Sequence, residues 1–122
     1  MLSNIYNLLF SKFFTFKGRS SRKEYIIKIL LYTLILVLGI YTFDKCTDPN
    51  VFTVTYVLFI DIISAILLIE YFFLAVRRLH DLNSSGWYVL ITFLPFGQLL
   101  ILWLMFKKGT AGANNYGDEP LN

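Results

Sequence analysis

The chain has 122 residues, of which 57% are apolar, 18% aromatic and only 16% charged, with a mean hydropathy of +0.62 and a formal charge of +3. An ordinary soluble domain is about 45–50% apolar and about 25% charged, so this balance argues against a water-soluble fold, and the length leaves room for one domain only. The basic residues sit beside apolar stretches rather than in a basic domain, so nucleic acid is excluded as an expected partner.

Residues 2–16 come first. Leu2, Ile5, Tyr6, Leu9, Phe10, Phe13 and Phe16 recur at helical spacing, with Ser3, Asn4, Asn7, Ser11 and Thr15 on the other side. This spacing predicts an N-terminal amphipathic helix, too short to span. It either lies in the headgroup boundary or packs on the protein's own helices. Lys17-Gly18-Arg19-Ser20 breaks it. Ser21-Arg22-Lys23-Glu24 then matches the capping-box pattern, placing a helix start at residue 22.

Three apolar stretches follow: Tyr25–Phe43, Val51–Val76 and Trp87–Phe106. Each has roughly the twenty residues that cross a hydrocarbon core of about 30 Å. The expected architecture is therefore an all-α integral membrane helical bundle in one domain, residues 1–122. Its spans are 22–43, 51–76 and 87–106, and an irregular tail occupies 107–122. Asp44–Asn50 is a polar turn, Asn83–Gly86 a break, and Pro95 and Gly97 predict a kink in the third span. The apolar run begins after residue 24 without a small-residue cleavage pattern, so the first span is expected to be a retained anchor.

Lys12, Lys17, Arg19, Arg22 and Lys23 precede the first span, and Arg77 and Arg78 follow the second. Only Lys45 lies in the first loop. Short Lys/Arg-rich segments stay cytoplasmic, which places the N-terminus and residues 77–86 inside and 44–50 outside. Three crossings would then put Lys107 and Lys108 outside, against the same rule. Either the earlier helices dominate, or Pro95-Phe96-Gly97-Gln98 turns the third segment back as a re-entrant hairpin. Three true spans is the expectation.

Two carboxylates lie within the second stretch. Asp61, near its centre, is costly if charged and alone, and reads either as an ion-path residue or as a hydrogen-bonded link between helices. Glu70 has Lys28 and Arg77 as candidate partners. Nine residues apart, the two carboxylates fall on opposite helix faces, so they do not form one acid–base pair.

Gly18-Arg19-Ser20-Ser21-Arg22 joins guanidinium groups and hydroxyls at a helix N-terminus, and Arg77, Arg78, His80 and Asp81 precede the next helix start. Arg19, Ser21, Arg22, Arg77, Arg78, His80 and Asp81 are thus candidates for binding an anionic headgroup or a partner; the plainer reading is that these charges set topology. His80 is the only histidine and Cys46 the only cysteine, so no metal site, disulfide or cofactor is expected. No catalytic constellation is assembled.

Taken in order, Phe16–Tyr25, Arg77-Arg78-Leu79-His80-Asp81, Ser85-Gly86-Trp87-Tyr88, Pro95-Phe96-Gly97, and Lys108-Gly109-Thr110 with Gly112, Asn114, Tyr116-Gly117 and Pro120 resemble the domain of unknown function 805 family. Ile26 departs from the second aromatic expected after Tyr25. The resemblance implies a small, multi-pass bacterial inner-membrane protein and brings no established activity. The expectation is a non-catalytic scaffold or sensor that binds membrane lipids, itself or another membrane protein. The alternative is an oligomeric proton or ion transport component using Asp61, with Glu70 along the path.

Overall fold

The computed structural model describes residues 12, 14–45 and 50–120. Within them run α1 (Arg22–Lys45), α2 (Val51–Asp81), a 3-10 helix (Gly86–Phe93) and α3 (Gln98–Phe106). Among the described residues the only β-type pairing is an isolated bridge between Asn114 and Gly117.

The helix ends follow from local chemistry. At α1 the Ser21 hydroxyl accepts the Glu24 N–H at 3.1 Å, as the capping box requires. The Glu24 carboxylate, however, turns to Ser20, Lys28 and Arg77. Asn50 caps α2, its side-chain oxygen accepting the Thr53 N–H at 3.0 Å. The far end of α2 closes in a Schellman arrangement. Asn83 takes φ +55°, the Asn83 N–H donates to His80 O, and the Ser84 N–H donates to Leu79 O. The second helix continues beyond its apolar stretch of 51–76 to Asp81. The first ends at Lys45 rather than residue 43.

At 1.5 Å per residue α1 and α2 are about 36 and 46 Å long, enough to cross a bilayer. Only 17% and 11% of their apolar windows are buried. A core helix of a soluble protein would be mostly covered. Here Leu30, Leu34, Val37, Ile40, Phe52, Leu58 and Ile62 all face outward. Such a surface marks contact with lipid or a partner, and helices of this length and hydropathy suit a bilayer.

The expected third span over 87–106 is not one kinked helix. The 3-10 leg rises about 16 Å and α3 about 14 Å, and neither reaches across 30 Å of hydrocarbon. Between them the chain reverses over Leu94–Gly97, with Leu94 N–H bonded to Ile91 O and Gly97 N–H to Leu94 O. Gly97 permits the reversal: a Cβ there would lie 2.1 Å from Ile91 O and 2.7 Å from the Thr92 Cα. The hairpin packs on the later part of α2, where Phe72 and Phe93 stack at 5.4 Å.

The expected interfacial helix over 2–16 lies mostly outside the described residues. Its described end is not helical, because Lys12 and Phe14 have φ of +60° and +51°. Phe14 and Phe16 pack on Phe73 of α2, with ring centroids 5.8 and 4.1 Å away.

Candidate functional site

The start of α1, the end of α2, the end of α3 and the tail meet at one end of the bundle. There Arg19, Ser20, Ser21, Glu24, Lys28, Glu70, Arg77, Arg78 and Asp81 are all buried. Charged residues of this kind are almost never fully buried unless paired. The pairing falls into two linked groups.

Asp81 centres the first. Its carboxylate receives Arg19, with Nε 3.0 Å and Nη2 2.9 Å from Oδ1, and Arg78 on Oδ2. Arg19 also donates to the carbonyls of Thr110 and Gly112, each at 2.5 Å, and of Gly117 at 3.3 Å. Arg78 donates to the carbonyls of Leu104 at 3.0 Å, Ser20 at 3.3 Å and Lys107. Every guanidinium nitrogen of both arginines is thus engaged. The tail returns the contact, for Thr110 donates from both N–H and hydroxyl to Asp81 O, each at 2.9 Å. Gly109 passes so close that a Cβ would lie 2.0 Å from Asp81 Oδ2.

Glu70 centres the second, deeper group. Lys28 Nζ lies 3.1 Å from its Oε1, and the Tyr32 hydroxyl donates to Oε2 at 2.8 Å. Arg77 Nη2 is 3.7 Å from Oε1, while its Nη1 donates to Glu24 at 3.0 Å. Lys28 also reaches Glu24 at 3.4 Å. Glu24, Lys28 and Tyr32 recur every four residues, so one stripe of α1 faces Glu70 and Arg77 on α2. Both candidate partners of Glu70 are therefore brought to it. From the sequence Glu24 was read only as a capping-box residue, and Tyr32 and the tail carbonyls were not singled out. The spacing of Glu24, Lys28 and Tyr32 was the available signal for the first two; a carbonyl leaves none.

The remaining candidates lie apart from these contacts. Ser21 is occupied as a helix cap. Arg22 is exposed, with one 3.5 Å contact to Phe106 O. The His80 ring stacks on Tyr116, centroids 3.9 Å apart and planes within 4°. Asp61 is exposed, and no hydrogen bond or ion pair joins it among the described residues. The two candidate ion-path carboxylates are consequently not joined: Glu70 is held within the cluster and Asp61 faces out along the apolar part of the bundle. Among the described residues no group of three or more His, Cys, Asp or Glu is placed to hold a metal ion.

This arrangement sets four buried cations against three buried carboxylates, with backbone carbonyls accepting the excess N–H groups. It works as a clasp across four chain segments. A second set of cations stays outside it: Lys17, Arg22, Lys23, Lys107 and Lys108 are exposed. Lys107 lies over the Trp103 ring at 5.2 Å, as a snorkelling side chain does at a membrane boundary.

Two long helices with apolar outer faces, clasped at one end by a buried ionic cluster, define a multi-pass helical membrane protein. Its sequence places it further. The family model described as "Protein of unknown function (DUF805)" matches residues 13–118, and the chain belongs to that family of bacterial inner-membrane proteins. It is 36% identical over 111 residues to the inner membrane protein YhaI of Escherichia coli K12, covering 86% of this chain and 85% of that protein. It is 30% identical over 111 residues to the inner membrane protein YhaH of the same strain, covering 86% of each. No solved structure matches.

Proposed function

We propose that this protein is a non-catalytic inner-membrane scaffold that gathers anionic lipid headgroups around its cytoplasmic end. Its topology is two spans, α1 and α2, and a hairpin that enters and leaves the membrane on the cytoplasmic side. The N-terminus and the tail are then both cytoplasmic. Lys107 and Lys108 thereby join Lys17, Arg22 and Lys23 on one side, as the positive-inside rule favours. This replaces three spans, whose third helix would need to be one piece.

The observation that carries the reading is the division of the cations. Arg19, Lys28, Arg77 and Arg78 are occupied internally and form the platform. The exposed lysines and Arg22 flank it where headgroups lie. Each basic residue near an anionic surface contributes about 1 kcal/mol.

A thermal-shift comparison of the detergent-solubilised chain with added phosphatidylglycerol or phosphatidylcholine tests this. Phosphatidylglycerol is expected to raise Tm more. Combining Arg22→Gln, Lys23→Gln, Lys107→Gln and Lys108→Gln should abolish that difference while leaving the phosphatidylcholine value unchanged. Equal shifts with the two lipids in the unmodified chain would remove the reading.

A further inference from the structure

Away from the clasp the bundle thins to two helices. The hairpin legs of about 14–16 Å cover only the later part of α2. None of the residues 51–69 of α2 is buried. Here α1 and α2 border an open groove of about 380 Å³ whose lining includes Leu36, Gly39, Ile40, Tyr56, Asp61 and Ser64. Asp61 stands about 15 Å from the Val51 end and about 14 Å from Glu70 along the helix axis. That is the middle of the hydrocarbon. A carboxyl at such a depth faces a partner or water, because lipid offers it no hydrogen bond.

This chain cannot supply a cation from within its own spans. Residues 29–44, 51–76 and 86–106 contain no Lys, Arg or His, and Lys28 is bound to Glu70 and Glu24. What the groove does offer is self-complementary. A carboxyl can both donate and accept when one of a pair is protonated, and the Ser64 hydroxyl lies one helical turn away on the same face. Two copies related by a two-fold axis along the membrane normal place identical residues at identical depth.

We propose that the chain pairs with a second copy of itself through this groove, the two Asp61 carboxyls meeting across the two-fold axis as a hydrogen-bonded pair sharing a proton. Gly39 already lets α1 and α2 approach within the chain, where a Cβ would lie 3.0 Å from Ile60, and the small Ser64 leaves room for a neighbouring span, as small residues do at interfaces between spans. The pairing is independent of the cationic rim and would stand if the lipid reading fell.

The test is energy transfer between donor- and acceptor-labelled full-length chains reconstituted in phosphatidylcholine liposomes, at increasing lipid dilution. The unmodified chain is expected to show transfer above random proximity. Asp61→Leu should weaken association about tenfold, the scale of one interhelical hydrogen bond in a bilayer. Asp61→Asn, which can still donate and accept, should stay within about threefold. Equal association of Asp61→Leu and the unmodified chain overturns the proposal, as does transfer no greater than random in the unmodified chain. Should Asp61→Leu misfold, Ser64→Cys in a Cys46→Ser background gives a second reading. A disulfide-linked dimer is expected from position 64 and none from Leu30→Cys in the same background. The reverse pattern refutes the interface.

Discussion

The first nineteen residues of α2 and its last twelve obey opposite rules of burial. Residues 51–69 are apolar apart from Asp61 and a few hydroxyls, and none is buried. Residues 70–81 carry Glu70, Arg77, Arg78 and Asp81, and all four are buried. In water the first region would collapse and the second would open. In a bilayer the logic reverses, because lipid is as apolar as leucine and gives no drive to hide it. Cohesion then has to come from polar groups. The clasp provides it by tying α1, α2, α3 and the tail together where the bilayer ends. A buried ionic cluster is weak as a net source of stability, since desolvation offsets most of the attraction. Its value here is register: Asp81 with Arg19 and Arg78, and Glu70 with Lys28 and Tyr32, meet in one mutual arrangement, while Arg77 bonds Glu24 through Nη1 and leaves Nε and Nη2 without a hydrogen bond.

If this division is right, the heaviest damage should come from removing one carboxylate of the clasp. Glu70→Ala leaves Lys28 and Arg77 to share Glu24 alone, and Asp81→Ala strands Arg19 and Arg78. Breaking a buried pair costs about 3–5 kcal/mol. Both variants should lose cooperative thermal unfolding in detergent, measured by circular dichroism, and a normal melting transition in either would break the argument.

A smaller effect is expected at Gly109, where a Cβ must displace Asp81 or the tail. Gly109→Ala should cost about 1–3 kcal/mol, the usual range for overpacking. It should also expose residues 110–118 to limited proteolysis, whereas Gly112→Ala, with nothing within 4 Å of its Cβ, should stay protected up to the strain of its φ of +69°.

The His80–Tyr116 stack ranks below that. Tyr116→Ala should cost about 0.5–1.5 kcal/mol.

Least affected of all should be the outer face. Leu30 is 59% exposed, and Leu30→Ala should shift stability by no more than about 0.5 kcal/mol in detergent. A core-sized loss there would mean that α1 is covered by protein rather than lipid.

Much of this was legible from the residues. The Ser21–Glu24 pattern gave the start of α1, and Asn50 with Pro49 marked the turn before α2. The seven-residue spacing of Glu70 and Arg77, with Lys28 at matching depth, pointed to the deeper ionic group. The hairpin was harder. Trp87–Phe106 has the length and hydropathy of a span, and such a measure counts apolar residues without registering direction. The reversal depends on Gly97 letting two backbones touch, which emerges only in three dimensions. The role of Arg19 and Arg78 was obscured for a related reason. A basic motif reads as an exposed anion site until its carboxylates are known to fold onto it, and Asp81 shares Arg19 only after 62 residues of chain return. The carbonyls of Thr110, Gly112 and Gly117 carry no sequence mark at all.

The hairpin and the clasp together require the end of the tail to lie on the same side of the membrane as the start of α1. Fusing alkaline phosphatase, active only outside the cytoplasm, or a green fluorescent protein, fluorescent only inside it, after Pro120 reads this out in whole cells. A dark phosphatase and a bright fluorescent fusion are the expected pair, matching the same reporters joined before Lys12. An active phosphatase at the C-terminus with an inactive one at the N-terminus would mean that residues 86–106 cross the bilayer, and the clasp as described could not form.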